Sequence, residues 1–266
     1  MNKTFLGVVA LAACMVMATA ASAVNINGYK AVERVFNDDP GSTLTITPGA
    51  PINTNPADIT IRDEYTGSFG GANRNDVLAS ADGGGLPLTH GIDDSFTLTT
   101  ELTLTDGFDT PRKEAGIRIN SPVTGDALFL VNSDAGEIVT FGGGAPFAIF
   151  GNNAGGDGYT PGDTILLGIT YLGAGDGVGG NASTIEFFID RGNGIETTGP
   201  QAWDNLEKGA LAFTTGVYAQ GGSSNTGDFV NAAFNNTTYT MIPEPASLGL
   251  AGLGLLGLLA TRRRKR

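Results

Sequence analysis

The sequence predicts an all-β protein built as a single β-sandwich, on three observations. Apolar residues recur at every second position rather than at a helical spacing. Gly-, Asn- and Asp-rich clusters cut the chain into short runs. Residues 24–241, bounded by two apolar ends, are the right length for one sandwich of about ten strands. Of the 266 residues, 41 are glycine and 41% are hydrophobic. The glycines follow no three-residue period, which excludes collagen, and the apolar share excludes a disordered chain.

The clearest strand is 95–105. Phe96, Leu98, Thr100, Leu102 and Leu104 alternate with Thr97, Thr99, Glu101, Thr103 and Thr105. One face is therefore apolar and the other rich in threonine, as a sandwich strand requires. Weaker runs lie at 43–47, 58–62, 115–120, 127–132, 137–141, 164–172, 184–190, 210–219 and 236–241. Turns such as Gly83-Gly84-Gly85, Gly142-Gly143-Gly144 and Asn193-Gly194 separate them. Only 201–208, around Trp203, reads as a short helix. No period of 20–50 residues recurs, which disfavours propellers and solenoids.

Three segments then carry a resemblance. They are Tyr159-Thr160-Pro161-Gly162-Asp163, the run from Ile165 to Tyr171, and the run from Ile185 to Asp190. This succession resembles the convex-sheet strands of concanavalin A-like jelly rolls. The run from Val217 to Gly221, followed by Asn231-Ala232-Ala233-Phe234, fits their closing strands.

The two ends read as addresses. Residues 1–23 have the form of a secretory signal peptide: Lys3, an apolar stretch from Phe5 to Ala20, and Ala21-Ser22-Ala23 as the cleavage site, with the cut after Ala23. Leu11-Ala12-Ala13-Cys14 matches a lipobox, but the apolar run continues past it through Met15-Val16-Met17-Ala18.

At the other end, Pro243-Glu244-Pro245 precedes an uncharged stretch from Ala246 to Ala260, then Thr261, Arg262, Arg263, Arg264, Lys265 and Arg266. The two prolines keep the backbone extended and leave Glu244 presented to a protease or transpeptidase. Fifteen helical residues reach only roughly 23 Å, short of a hydrocarbon core of about 30 Å. The basic cluster snorkels to offset part of the shortfall, and it holds that end in the cytoplasm. Residues 242–266 resemble the PEP-CTERM sorting signal of Gram-negative bacteria: motif, short transmembrane helix and Arg-rich tail. The resemblance implies an exosortase as processing partner, transient residence in the inner membrane through 246–261, and a cargo for the cell surface or extracellular matrix. It leaves residues 24–241 as the displayed domain.

Net charge excludes one class of partner. Between the two ends, 26 acidic residues face nine basic ones, a net of −17. Such a surface repels a polyphosphate, so no nucleic-acid partner is expected. The single cysteine, Cys14, falls in the signal peptide, leaving the secreted chain with no disulfide and no thiolate chemistry.

Candidate chemistry is thin. Glu186 and Asp190 share a strand face, as glycosidase carboxylates do, but Phe188 occupies the position between them. An outward Glu and a turn-capping Asp explain both residues. His90 neighbours Asp93 and Asp94, but no serine sits in a nucleophile elbow, so a loop histidine bonded to a carboxylate is expected. Asn152, Asn153, Asp157 and Asp163, or Asp190, Asn193 and Glu196, could supply oxygens to a structural calcium ion, although neither set has EF-hand spacing. No other cofactor, no metal site and no catalytic residue is expected. A sugar site needs an exposed aromatic beside polar groups, for which Trp203, Tyr159 and Tyr218 are the candidates.

The reading is a secreted, non-enzymatic surface or matrix protein with a structural or adhesive role on exopolysaccharide. The alternative is a lectin-like carbohydrate-binding module, with or without calcium. A polysaccharide-cleaving enzyme comes third.

Overall fold

Two antiparallel sheets stack face to face in the computed structural model, which describes residues 26–91, 94–151, 158–173, 183–203, 213–223 and 225–242. The first sheet has seven strands. In spatial order they are β1 (Gly28–Asn37), β4 (Phe69–Ser80), β14 (Thr214–Ser223), β6 (Lys113–Ser121), β7 (Gly125–Asn132), β8 (Ile138–Phe141) and β9 (Ala148–Gly151). The second runs β12 (Ile195–Thr197), β11 (Thr184–Asp190), β10 (Thr164–Leu172), β5 (Ser95–Asp106), β15 (Phe229–Ile242), β3 (Ala57–Glu64) and β2 (Thr43–Thr47). A short eighth strand, β13 (Gln201–Ala202), pairs with β11. The last two long strands enter the middle of the sheets: β14 between β4 and β6, and β15 between β5 and β3. Each sheet is thus closed by chain distant in sequence, which is the jelly-roll arrangement.

The alternation expected for 95–105 is what β5 shows: Phe96, Leu98, Leu102 and Leu104 are buried in the core. They meet the inward faces of both sheets, among them Ile117, Ile119, Phe129 and Val217 from the seven-stranded sheet and Ile169, Ile185, Ile189 and Phe234 from the eight-stranded one.

Five strands were not visible in the sequence, β1, β4, β9, β12 and β13, and the two longest of them show why. In β1 the register slips between Val32 and Phe36, a bulge with Arg34 at φ 59°. The bulge breaks the period-two pattern and turns Arg34 to Asp63 at 2.5 Å and the Ser42 carbonyl at 3.0 Å. In β4 polar residues occupy both faces: Asn73 and Asn75 bond to Asp63, while Arg74 and Asp76 lie on the opposite face. The short helix expected at 201–208 is corrected at its start, where Gln201 and Ala202 pair with Ile185 and Thr184 as a strand. Residues 204–208 lie outside the described residues.

The interior differs along its length. At one end Arg34, Asp63, Asn73, Asn75, Lys113 and Asp228 form a polar core. At the other, His90, Phe96, Tyr171, Phe213 and Tyr239 form an aromatic stack with centroids 4.9–5.9 Å apart. Trp203 packs edge-on against Tyr171.

Candidate functional site

The outer face of the seven-stranded sheet carries the concentration of charge. Side chains at alternate positions of β4, β14, β6 and β7 point away from the core, and register places them side by side. Tyr218 stands opposite Asp76 on one neighbour and Gly116 on the other. Gly116 is required there, because a Cβ would lie 2.0 Å from the Phe129 carbonyl oxygen.

Around Tyr218 two guanidinium groups and two carboxylates close a ring. Arg74 Nε meets Asp76 Oδ1 at 2.9 Å, and Arg74 Nη1 meets Asp126 Oδ2 at 2.9 Å. Arg118 completes the ring, with Nη1 2.7 Å from Asp76 Oδ2 and Nη2 2.7 Å from Asp126 Oδ1. Asn120 donates to the same Asp126 oxygen at 2.7 Å. Arg74 also lies over the Tyr218 ring, its Cζ 4.6 Å from the centroid, and 5.9 Å from the ring of Phe36. Its Nη2 is buried without a hydrogen-bond partner among the described residues. Phe36, paired with Arg74 across β1 and β4, is 47% exposed.

A second chain of contacts leads away from the Tyr218 hydroxyl. It donates to Glu114 Oε1 at 3.2 Å, Arg112 Nε holds Glu114 Oε2 at 3.1 Å, and Asn132 ties in Glu137 at 2.7 Å. Leu128, Leu130 and Val139 form a small apolar cluster with Tyr218 on this face.

Burial and charge set the proton affinities. Burial pushes the Tyr218 hydroxyl well above its ordinary value, and the Glu114 carboxylate adds to that. Burial raises Glu114 as well, against the pull of Arg112. It raises Asp76 despite Arg74 and Arg118. For Asp126 burial also acts upward, but the two guanidiniums outweigh it and hold the carboxyl low. Asp126 is accordingly the firm anion of the ring. Tyr218 is held protonated and donates its hydrogen bond to Glu114.

Of the three aromatics considered as a sugar platform, only Tyr218 belongs to this face, and none is exposed. Trp203 is 1% exposed. Tyr159 is a core bolt: its hydroxyl donates to the carbonyl of Asp163 at 2.7 Å and accepts from the Leu104 amide at 2.6 Å. Phe36 is an exposed aromatic beside the charged ring, and the bulge in β1 hid it from sequence reasoning. The signal that could have found the ring is Arg74-Asn75-Asp76, two opposite charges on one strand face.

Other candidates fall elsewhere. Glu186 lies on the outer face of the eight-stranded sheet and accepts a hydrogen bond from the Thr197 hydroxyl. Asp190 caps a turn, accepting the amides of Gly192 at 2.7 Å and Gly194 at 3.1 Å, and Glu196 pairs with Arg191. Both carboxylates expected for the second calcium set are thereby engaged. No group of three or more His, Cys, Asp or Glu suited to a metal occurs among the described residues. Asn152, Asn153 and Asp157 lie outside them. His90 is not a loop residue bonded to a carboxylate. It is buried, bridged to Phe213 through the backbone, with the Tyr239 hydroxyl 3.1 Å from Nε2, while Asp94 caps the Gly91 amide. Asp93, Ala23, the Pro243-Glu244-Pro245 motif and the basic tail lie outside the described residues.

Comparison with known proteins gives two findings. Residues 242–265 match the PEP-CTERM protein-sorting motif, so the chain carries the sorting signal of exported proteins processed by an exosortase. The sandwich is similar to solved alginate lyases. That of Klebsiella pneumoniae has a TM-score of 0.51 at 9% identity, covering 82% of this chain and 96% of its own. That of Corynebacterium sp. gives 0.50 at 9%, covering 81% and 95%. Alginate lyase A1-II', of polysaccharide lyase family 7, gives 0.50 at 10%, covering 82% and 96%. No curated protein matches the chain in sequence. At these identities the likeness establishes the jelly-roll fold. It also corrects the expectation that the chain is not an enzyme, since the neighbours that share the sandwich are polysaccharide-cleaving lyases.

Proposed function

We propose that the sandwich is an exported domain that engages an acidic polysaccharide on the outer face of its seven-stranded sheet. The observation that carries this reading is Phe36: an exposed ring set beside a closed ring of two guanidinium groups and two carboxylates on a sheet face. The domain's net charge of −17 repels a polyanion at long range, so the contact is local: a sugar carboxylate meets the partly exposed edge of Arg118, and Phe36 supplies an apolar face for the pyranose ring. Gln220 and Asn120, on the same face of β14 and β6, offer amide groups to the hydroxyls.

The rest of the chain delivers this domain. In our reading residues 1–23 are removed after Ala23, and 242–266 form the sorting signal. Pro243-Glu244-Pro245 is recognised on the outer side of the inner membrane, 246–261 crosses it, and Arg262, Arg263, Arg264, Lys265 and Arg266 remain in the cytoplasm until an exosortase removes the tail. Release at the cell surface or in the matrix places the domain among the cell's own exopolysaccharide.

A second reading rests on the Tyr218–Glu114 contact. A tyrosine hydroxyl in contact with a carboxylate, beside guanidinium groups, is the kind of side-chain set that β-elimination from an acidic polysaccharide uses.

Calorimetric titration with alginate, polygalacturonate and a neutral glucan tests both. Saturable binding is expected for an acidic polymer and not for the glucan. Phe36→Ala, an exposed position, weakens it by about tenfold, equivalent to about 1.4 kcal/mol. Equal response to neutral and acidic polymers, or an unchanged Phe36→Ala, contradicts the site. Unsaturated uronate ends accumulating in the mixture, and abolished in Tyr218→Phe, select the lyase reading.

A further inference from the structure

The polar end of the core contains a pairing that the proposed function does not use. Lys113, the first residue of β6, reaches across to the other sheet and places Nζ 2.6 Å from Asp228 Oδ2, just before β15. Both side chains are fully buried. The surroundings are those of a reaction centre more than of a simple ion pair. The other Asp228 oxygen, Oδ1, accepts two backbone amides, Phe108 at 3.1 Å and Phe229 at 2.8 Å. Nζ donates to the Phe108 carbonyl at 2.6 Å. The lysine stem passes over Gly221, where a Cβ would lie 2.9 Å from Lys113 Cγ. Asp106, at the end of β5, is near enough for its carboxyl to feel the charges of both partners, and its Oδ2 is buried with no hydrogen-bond partner. Its unpartnered Oδ2 is placed to take and return a proton, and burial raises the carboxyl against the pull of the Ser133 hydroxyl.

We propose that Lys113 and Asp228 condense spontaneously into an intramolecular amide that staples the two sheets, with Asp106 as the proton relay. A C–N bond forms between Nζ and Cγ, and the Cγ–Oδ2 bond breaks. The ammonium gives up two of its three protons, and both leave with Oδ2 as water. Asp106 carries them and ends unchanged, and no oxidant or cofactor is consumed. The Phe108 and Phe229 amides hold Oδ1 as it becomes the oxyanion of the tetrahedral intermediate and then the amide oxygen. The remaining amide proton keeps the Phe108 carbonyl as acceptor. Enforced contact in a water-excluded interior supplies the effective concentration that the same groups lack in solution. The link spans 115 residues of sequence in a chain whose one cysteine lies outside the sandwich.

Denaturation of the purified full-length chain, tryptic digestion and mass spectrometry test this directly. Cleavage after Arg112 but not after Lys113 is expected. One branched peptide should appear, lighter by a single water than the sum of the 113–118 peptide and the peptide bearing Asp228. Asp106→Asn, with its sheet content checked by circular dichroism, is expected to be cleaved after Lys113 and to yield the 114–118 peptide and an unmodified peptide bearing Asp228. Wild-type protein that is cleaved after Lys113 and gives separate, unmodified peptides overturns the proposal, whatever the variants do. A full yield of branched peptide from Asp106→Asn overturns the relay.

Discussion

Trp203→Ala is expected to lower the free energy of unfolding by about 3–5 kcal/mol, the cost of deleting a large, fully buried ring. Trp203 is 1% exposed, stands edge-on to Tyr171 with centroids 6.3 Å apart, and donates its backbone amide to Ser183 at 3.0 Å. It closes the aromatic end of the core at the β13 edge. Any loss of polysaccharide binding in this variant therefore follows loss of fold. Trp203→Phe, which keeps a ring in the cavity, should recover much of the stability and all of the binding. Urea denaturation checks the first statement. A change below about 1 kcal/mol, the range of ordinary surface substitutions, contradicts the placement of Trp203 in the core.

The second large effect is a pH dependence centred on His90. Burial pushes its pKa down from 6.5 to about 4. The unfolded chain thus binds a proton between those values while the folded chain does not. The histidine's contribution to stability is complete above pH 6.5 and declines as pH falls through the folded value. The loss amounts to on the order of 3 kcal/mol. Asp76 and Glu114, raised in the fold, work in the opposite direction, so a single stability curve mixes the terms. The difference between wild type and His90→Phe isolates the histidine. Phenylalanine keeps a ring against Phe96 and Phe213, both 5.0 Å away, but does not titrate. Wild type should lose stability relative to the variant as pH is lowered from 6.5 to 4. Parallel curves contradict the assignment.

What the sequence made legible follows from where the chain is simple. Where one strand face is apolar and the other solvated, as in β5, hydropathy alternates and the strand can be read directly. The pattern fails in β4 because Asn73 and Asn75 serve the polar end of the core while Arg74 and Asp76 serve the outer ring, so neither face looks apolar. It fails in β1 because the bulge at Arg34 shifts the register halfway along. The misread start of 201–208 has a similar origin, since Gln201-Ala202 holds only an edge pairing that leaves no periodic trace.

The candidate site was hidden for a topological reason. Phe36, Arg74, Arg118, Asp126 and Tyr218 come from five strands and meet only because β14 inserts between β4 and β6. Tyr218 was legible as an aromatic of interest, but not its neighbours. Lys113 and Asp228 are likewise 115 residues apart, with nothing local to connect them. The sorting signal, by contrast, is linear, and reads directly from Pro243-Glu244-Pro245 onward.

The most direct test of the account locates the bound polysaccharide. Amide chemical shifts of the isotopically labelled protein, followed while an acidic oligosaccharide is added, report which sheet it touches. The account predicts shifts around Phe36, Arg74, Arg118 and Tyr218, with the Glu186 and Phe188 face of the opposite sheet unmoved. Shifts confined to that opposite face, or none with any acidic sugar at saturating concentration, would contradict it.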